Sequence, residues 1–140
     1  MEFKIKPFKA TIMAIIYVIL LVIAPYYIFL AISNSVSVIP ISSQFLNGIL
    51  LTGIISSIAA FFKSIFQVGT RLHGVTNIIF AIWFTYNLYY VLGGGTTDGF
   101  GAINVTFGYY SISINLSVIS YFIIGIGLIT VFIHLYEVLA

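Results

Sequence analysis

Of 140 residues, 61% are hydrophobic and 6% charged, with a mean hydropathy of +1.21. A soluble domain draws about a quarter of its residues from Asp, Glu, Lys and Arg. Five basic and three acidic side chains fall far short of that, so lipid is the expected solvent for most of the surface. The net charge of +2 does not make a nucleic-acid binder. Lys4, Lys6, Lys9, Lys63 and Arg71 are few and sit beside hydrophobic runs, where they act as topology signals. Cysteine is absent, which excludes disulfides, thiolate metal sites and thiol redox chemistry. The heavy use of isoleucine is a composition expected of a thermophilic archaeal source.

The pattern predicts an all-α integral membrane protein forming a single domain over residues 1–140. Four transmembrane helices lie at about 8–32, 45–66, 75–92 and 118–139, and a small extracytoplasmic β-hairpin or three-stranded β-cap covers one end. The first run follows three lysines, but it exceeds the ~7–15 apolar residues of a signal-peptide core and lacks a clear small-x-small cleavage site. It is therefore expected to be a retained span. Pro25 removes a backbone donor and clashes with the preceding turn, which predicts a kink near 21–25. Tyr26, Tyr27 and Phe29 then form an aromatic belt at the far interface.

Residues 33–44 form the first outer loop, with strand-like alternation over 35–39 that ends at Pro40. Span two carries Gly53, Ser56, Ser57 and Ala60. Gly53 and Ser57, like Ser56 and Ala60, stand four apart, giving a small-residue stripe that lets helices approach closely. This helix is expected at the centre of the bundle. Gly69 and Gly74 bracket the next turn. Span three has Trp83 near its middle and Tyr86, Tyr89 and Tyr90 towards its outer end.

The second outer loop, 93–117, begins with a glycine cluster expected to end span three in a left-handed cap. In it, Ile103, Val105 and Phe107 alternate with polar residues, as do Ile112, Ile114 and Leu116. Gly108 and Tyr109 between the two runs predict a hairpin connection. A two-stranded hairpin is marginal alone, so the 35–39 strand is the expected third member. Asn104-Val105-Thr106 and Asn115-Leu116-Ser117 match the N-glycosylation triplet, and Asn104, further from the membrane, is the better acceptor.

Lysine and arginine cluster before span one and around the turn after span two, while the opposite loops carry only Asp98. The positive-inside rule therefore places both termini in the cytoplasm of a multi-pass cell-membrane protein.

Chemistry-bearing residues are sparse. His134 and Glu137 stand three apart on span four, and Lys63 lies at similar depth on span two. With His73 they form a candidate inner polar cluster, since ionisable groups inside spans are functional candidates. The plainer reading has Lys63 snorkelling to the headgroups and Glu137 solvated near the chain end. No cofactor or metal is expected. The two histidines do not repeat the Glu-x-x-His pairs of di-iron bundles, and haem ligation would need both of them or a partner subunit.

No nucleophile triad, carboxylate pair or phosphate-binding loop is present, so catalysis is not expected. The preferred function is a non-catalytic accessory or structural subunit of a larger membrane complex, respiratory or envelope. Its partners would be membrane lipids and other subunits or copies of itself. The alternative is a small oligomeric channel or transporter whose path is lined by Thr52, Ser56, Ser57, Asn77, Thr85 and Asn87.

Overall fold

A computed structural model describes residues 6–35, 42–94, 102–115 and 117–140. Four helical segments in it are long and apolar enough to cross a membrane, at Pro7–Asn34, Ser43–Ile65, Arg71–Leu92 and Val118–Leu139. The first is composite. Helix α1 (Pro7–Val18) opens with proline at its start, where no amide partner is needed. It widens into one π-helical turn at Ile19–Ile23 and continues as α2 (Ala24–Ser35). The wide turn stands where a proline kink was expected. Pro25 has no N–H to offer the Leu21 carbonyl four residues earlier, and the backbone absorbs that missing bond by a wider turn. Because α2 runs to Ser35, residues 33–35 are helical rather than loop. The remainder of the expected 35–39 strand lies outside the described residues.

Helix α3 (Ser43–Ile65) starts at Ser42, whose hydroxyl accepts the Phe45 amide at 3.1 Å. A tight turn over residues 66–70 follows, with Gly69 at φ +87°, a conformation open to glycine at no steric cost. Thr70 then caps α4 (Arg71–Tyr89) by accepting the His73 amide at 3.2 Å. The sequence pattern starts this helix at Val75, four residues late. Gly74 lies inside the helix rather than closing the turn, and it is buried against Val138 and the His134 carbonyl. At the other end α4 passes into a π turn at Tyr90–Gly94, so Gly93 and Gly94 extend the helix instead of ending it in a left-handed cap.

Strands β1 (Ala102–Phe107) and β2 (Tyr110–Asn115) pair antiparallel, with Phe107 opposite Tyr110 across Gly108 and Tyr109. Positive φ falls on Gly108 and not on Tyr109, as a II′-like two-residue turn requires. Helix α5 (Ser117–Leu139) completes the chain.

The helices pack in sequence order. Extended seams join α1 to α3, α3 to α4 and α4 to α5. Helix α3 is the interior element, with half of its most apolar window buried against 11% for the first and last spans. Gly53 faces the Leu21 carbonyl and Val22 so closely that a Cβ there would overlap both. The π turn therefore lies against the one residue type that lets a neighbouring backbone approach this closely. Ala59, Ala60 and Phe80 form the core further along, flanked by Tyr17 and Phe84. Tyr17 meets Phe80 edge-on at 5.2 Å, and Phe80 stacks on Phe84 at 5.3 Å. At the hairpin end Phe45 stacks on Tyr90 at 5.3 Å and takes Phe29 edge-on at 5.1 Å.

Candidate functional site

The polar chemistry of the described residues gathers at the end of the bundle where the 66–70 turn meets the last turns of α5. Antiparallel packing of α4 on α5 brings the first turn of one beside the last turn of the other. Gly74 makes that approach close, because a Cβ there would stand 2.7 Å from Val138 Cγ2 and 3.2 Å from the His134 carbonyl oxygen. Glu137 is the hub. Its Oε1 accepts from the Gly69 amide at 2.7 Å and from His73 Nδ1 at 2.9 Å, and its Oε2 accepts from His134 Nδ1 at 3.0 Å. An ionised carboxylate only accepts, so the arrangement assigns the Nδ1 proton to both imidazoles. Asn77, one turn beyond His73, donates to the His73 carbonyl at 2.9 Å and lies 3.0 Å from Nε2. All three ionisable side chains are partly buried, at 14% exposure for His73, 18% for Glu137 and 22% for His134.

Chemically this is a latch: one carboxylate ties the α3–α4 turn, α4 and α5 together. Among the described residues no group of three or more His, Cys, Asp or Glu is arranged to hold a metal ion.

Lys63 does not join the carboxylate. Its Nζ sits 3.6 Å from the Phe80 ring centroid and 5.4 Å from that of Tyr17, a cation–π placement. Helix α3 forms no extended seam with α5, so equal depth on the two spans does not bring Lys63 to Glu137. Lys63 and His134 do line opposite walls of one cavity of about 280 Å³, with Asn77 and Phe80 on the α4 side. A second cavity, of about 420 Å³, lies along the α4–α5 seam and is bounded by Tyr86, Tyr89 and Leu128. Between the two, Gly127 meets Thr85 so tightly that a Cβ would overlap the threonine hydroxyl.

The small residues of α3 divide their work. Gly53 faces the π turn that follows α1, and Ser57, 3% exposed, returns its hydroxyl to the Gly53 carbonyl at 2.8 Å. Ser56 is fully buried and donates within reach of both the Thr52 carbonyl at 2.8 Å and the Trp83 carbonyl on α4 at 3.1 Å. Ala60 is fully buried in the core. Asn87, 1% exposed, donates Nδ2 to Thr52 Oγ1 at 2.8 Å. Its Oδ1 and the hydroxyl of Ser120 are buried without a hydrogen-bond partner among the described residues. The backbone of Asn104 pairs with Ser113, and that of Asn115 with Ala102.

Sequence reasoning placed Gly69 only at the turn and grouped His73 with Glu137 in a cluster that also held Lys63; it did not single out Phe80 or the Gly69 amide as a donor to Glu137. An apolar ring and a backbone amide carry no chemical signal in isolation, and the direct His73–Glu137 bond depends on the α4–α5 register. Comparison with protein-family models, with curated proteins and with solved structures finds no match.

Proposed function

We propose that the chain is a non-catalytic accessory or structural subunit of a larger membrane complex. It crosses the cell membrane four times with both termini in the cytoplasm, and the β1–β2 hairpin forms a small cap on the outer side. The observation that carries this reading is the use of the polar residues. Of the six neutral groups a transport path would need, Thr52, Ser56, Ser57 and Asn87 are buried in hydrogen bonds within α3 and between α3 and α4. A side chain spent on joining helices does not line an aqueous route, which weighs against the channel or carrier.

Two further features support a packing role. Among the described residues the only extended seam of α5 is with α4, and Phe122, Phe132 and Ile133 are at 61% exposure or more. The larger α4–α5 cavity, rimmed by Tyr86 and Tyr89, is the place where a partner helix would seat. Orientation rests on charge: Lys6, Lys9, Lys63 and Arg71 all belong to the end that carries the 66–70 turn. Purification in mild detergent at native expression is expected to recover stoichiometric membrane partners. A homogeneous monomer by native mass spectrometry contradicts the proposal.

A further inference from the structure

The smaller cavity has a polar mouth and an apolar body. At the mouth stand Lys63 on α3 and His134 on α5; the body runs between Phe84 and Leu88 on α4 and Ile123 and Ile126 on α5. From His134 to Ile123 the wall extends about 16 Å at ~1.5 Å per residue. That is the depth of one leaflet, half of a hydrocarbon core ~30 Å thick. Lys63 lies within two residues of the end of α3 at Ile65, so the mouth sits near the interface and the body points towards the bilayer midplane. A volume of about 280 Å³ lies just below the ~300–1,000 Å³ range of ligand sites, suited to one slender chain rather than a ring system.

Among the described residues the charges at the mouth are unbalanced. Lys63 makes no ion pair among the described residues, and Glu137, their sole acidic residue, is committed to His73, His134 and the Gly69 amide. The Phe80 ring covers one side of the ammonium, and no acceptor among the described residues takes its N–H groups. Partial burial of an uncompensated cation is costly, and an anion at the mouth removes that cost. His134, with Nδ1 held by Glu137, retains Nε2 as the ring's remaining hydrogen-bonding atom, an acceptor in the neutral imidazole.

From this we infer that the cavity is a binding site for an anionic membrane phospholipid. One acyl tail lies along Phe84, Ile123 and Ile126, the headgroup phosphate lies on Lys63, and a headgroup hydroxyl donates to His134 Nε2. The inference rests on the four-span membrane reading but not on the subunit role, since a lipid-binding monomer would satisfy it.

The test uses the full chain in nanodiscs containing equal phosphatidylglycerol and phosphatidylcholine, with lipid retained on release read by native mass spectrometry. The wild type is expected to retain phosphatidylglycerol preferentially by about fivefold, the weight of one cation near a lipid surface. Lys63→Gln is expected to lose the preference and Lys63→Arg to keep it. Thr130→Phe, which fills the cavity from the α5 wall, is expected to abolish retention of both lipids while helicity by circular dichroism is unchanged. Equal retention of the two lipids by the wild type overturns the inference, as does an undiminished preference in Lys63→Gln. Displacement of phosphatidylglycerol by stoichiometric oleate overturns the phospholipid assignment. Failure of the protein to insert at all, seen as extraction by alkaline carbonate, would instead refute the membrane reading beneath it.

Discussion

The α1–α3–α4 side of the molecule and the α4–α5 side are built from the same amino-acid vocabulary and cohere in different ways. On the first, α3 is enclosed by two neighbours, a glycine lies on a backbone carbonyl, and hydroxyl and amide groups bond across the seam. On the second, α5 packs along α4 through close contacts at Gly74 and Gly127, with a cavity on either side, and Glu137 latches one end. Where apolar surface gains nothing by leaving lipid, helices cohere through close packing and polar contacts. A seam with continuous close packing makes a scaffold, whereas a seam of spaced contacts leaves room for other molecules.

The largest effect is expected where the backbones are nearest. Gly53→Leu drives a side chain into the Leu21 carbonyl and Val22, with no flexible group to yield on the carbonyl side. It should cost at least about 1–3 kcal/mol, as overpacking does, read as a lowered unfolding midpoint in detergent by the fluorescence of the single tryptophan, Trp83. An unchanged midpoint would show that the α1–α3 seam can open without penalty.

An intermediate effect is expected at the latch. Glu137→Ala leaves the Gly69 amide and both imidazoles without their shared acceptor. Water reaches this site, so the loss should be about 1.5 kcal/mol, the low end for a broken bond to a charged group. Its signature is local: hydrogen exchange at the Gly69 amide should accelerate while amides in the middle of α3 stay protected. Uniform acceleration along the chain would mean that Glu137 supports the whole bundle rather than one end of it.

The smallest effect is expected at Asn87→Leu. The change removes the bond to Thr52 but also the buried Oδ1 that has no partner among the described residues. Interhelical hydrogen bonds in membrane proteins average ~0.6 kcal/mol, so the two terms should nearly cancel in the unfolding midpoint. A loss as large as that of Gly53→Leu would place Asn87 at the centre of the packing.

Much of the fold was legible because a run of about 20 apolar residues dominates any local signal. Each span begins and ends within four residues of its expected bounds. The larger errors fall where local chemistry outweighs hydropathy. Arg71, His73 and Gly74 read as a turn, yet the Thr70 cap commits them to α4. Gly93 and Gly94 read as a stop, yet a π turn carries the helix through them. At the candidate site, the spacing of His134 and Glu137 announced their contact. The division between Glu137 with two histidines and Lys63 over Phe80 was not legible, because it is decided by which helices share a seam. The small residues of α3 announced close packing, but not that Gly53 and Ser56 would face different neighbours.

The account depends most on four membrane crossings that set the hairpin and the 66–70 turn on opposite sides. Two single cysteines test this in intact cells: one in place of Tyr109 at the fully exposed hairpin tip, and one in place of exposed Val68 in the turn. A membrane-impermeant maleimide applied from outside is predicted to label the cysteine at position 109 and to reach that at position 68 only after the cells are opened. Labelling of position 68 in intact cells, or protection of position 109, would contradict the account.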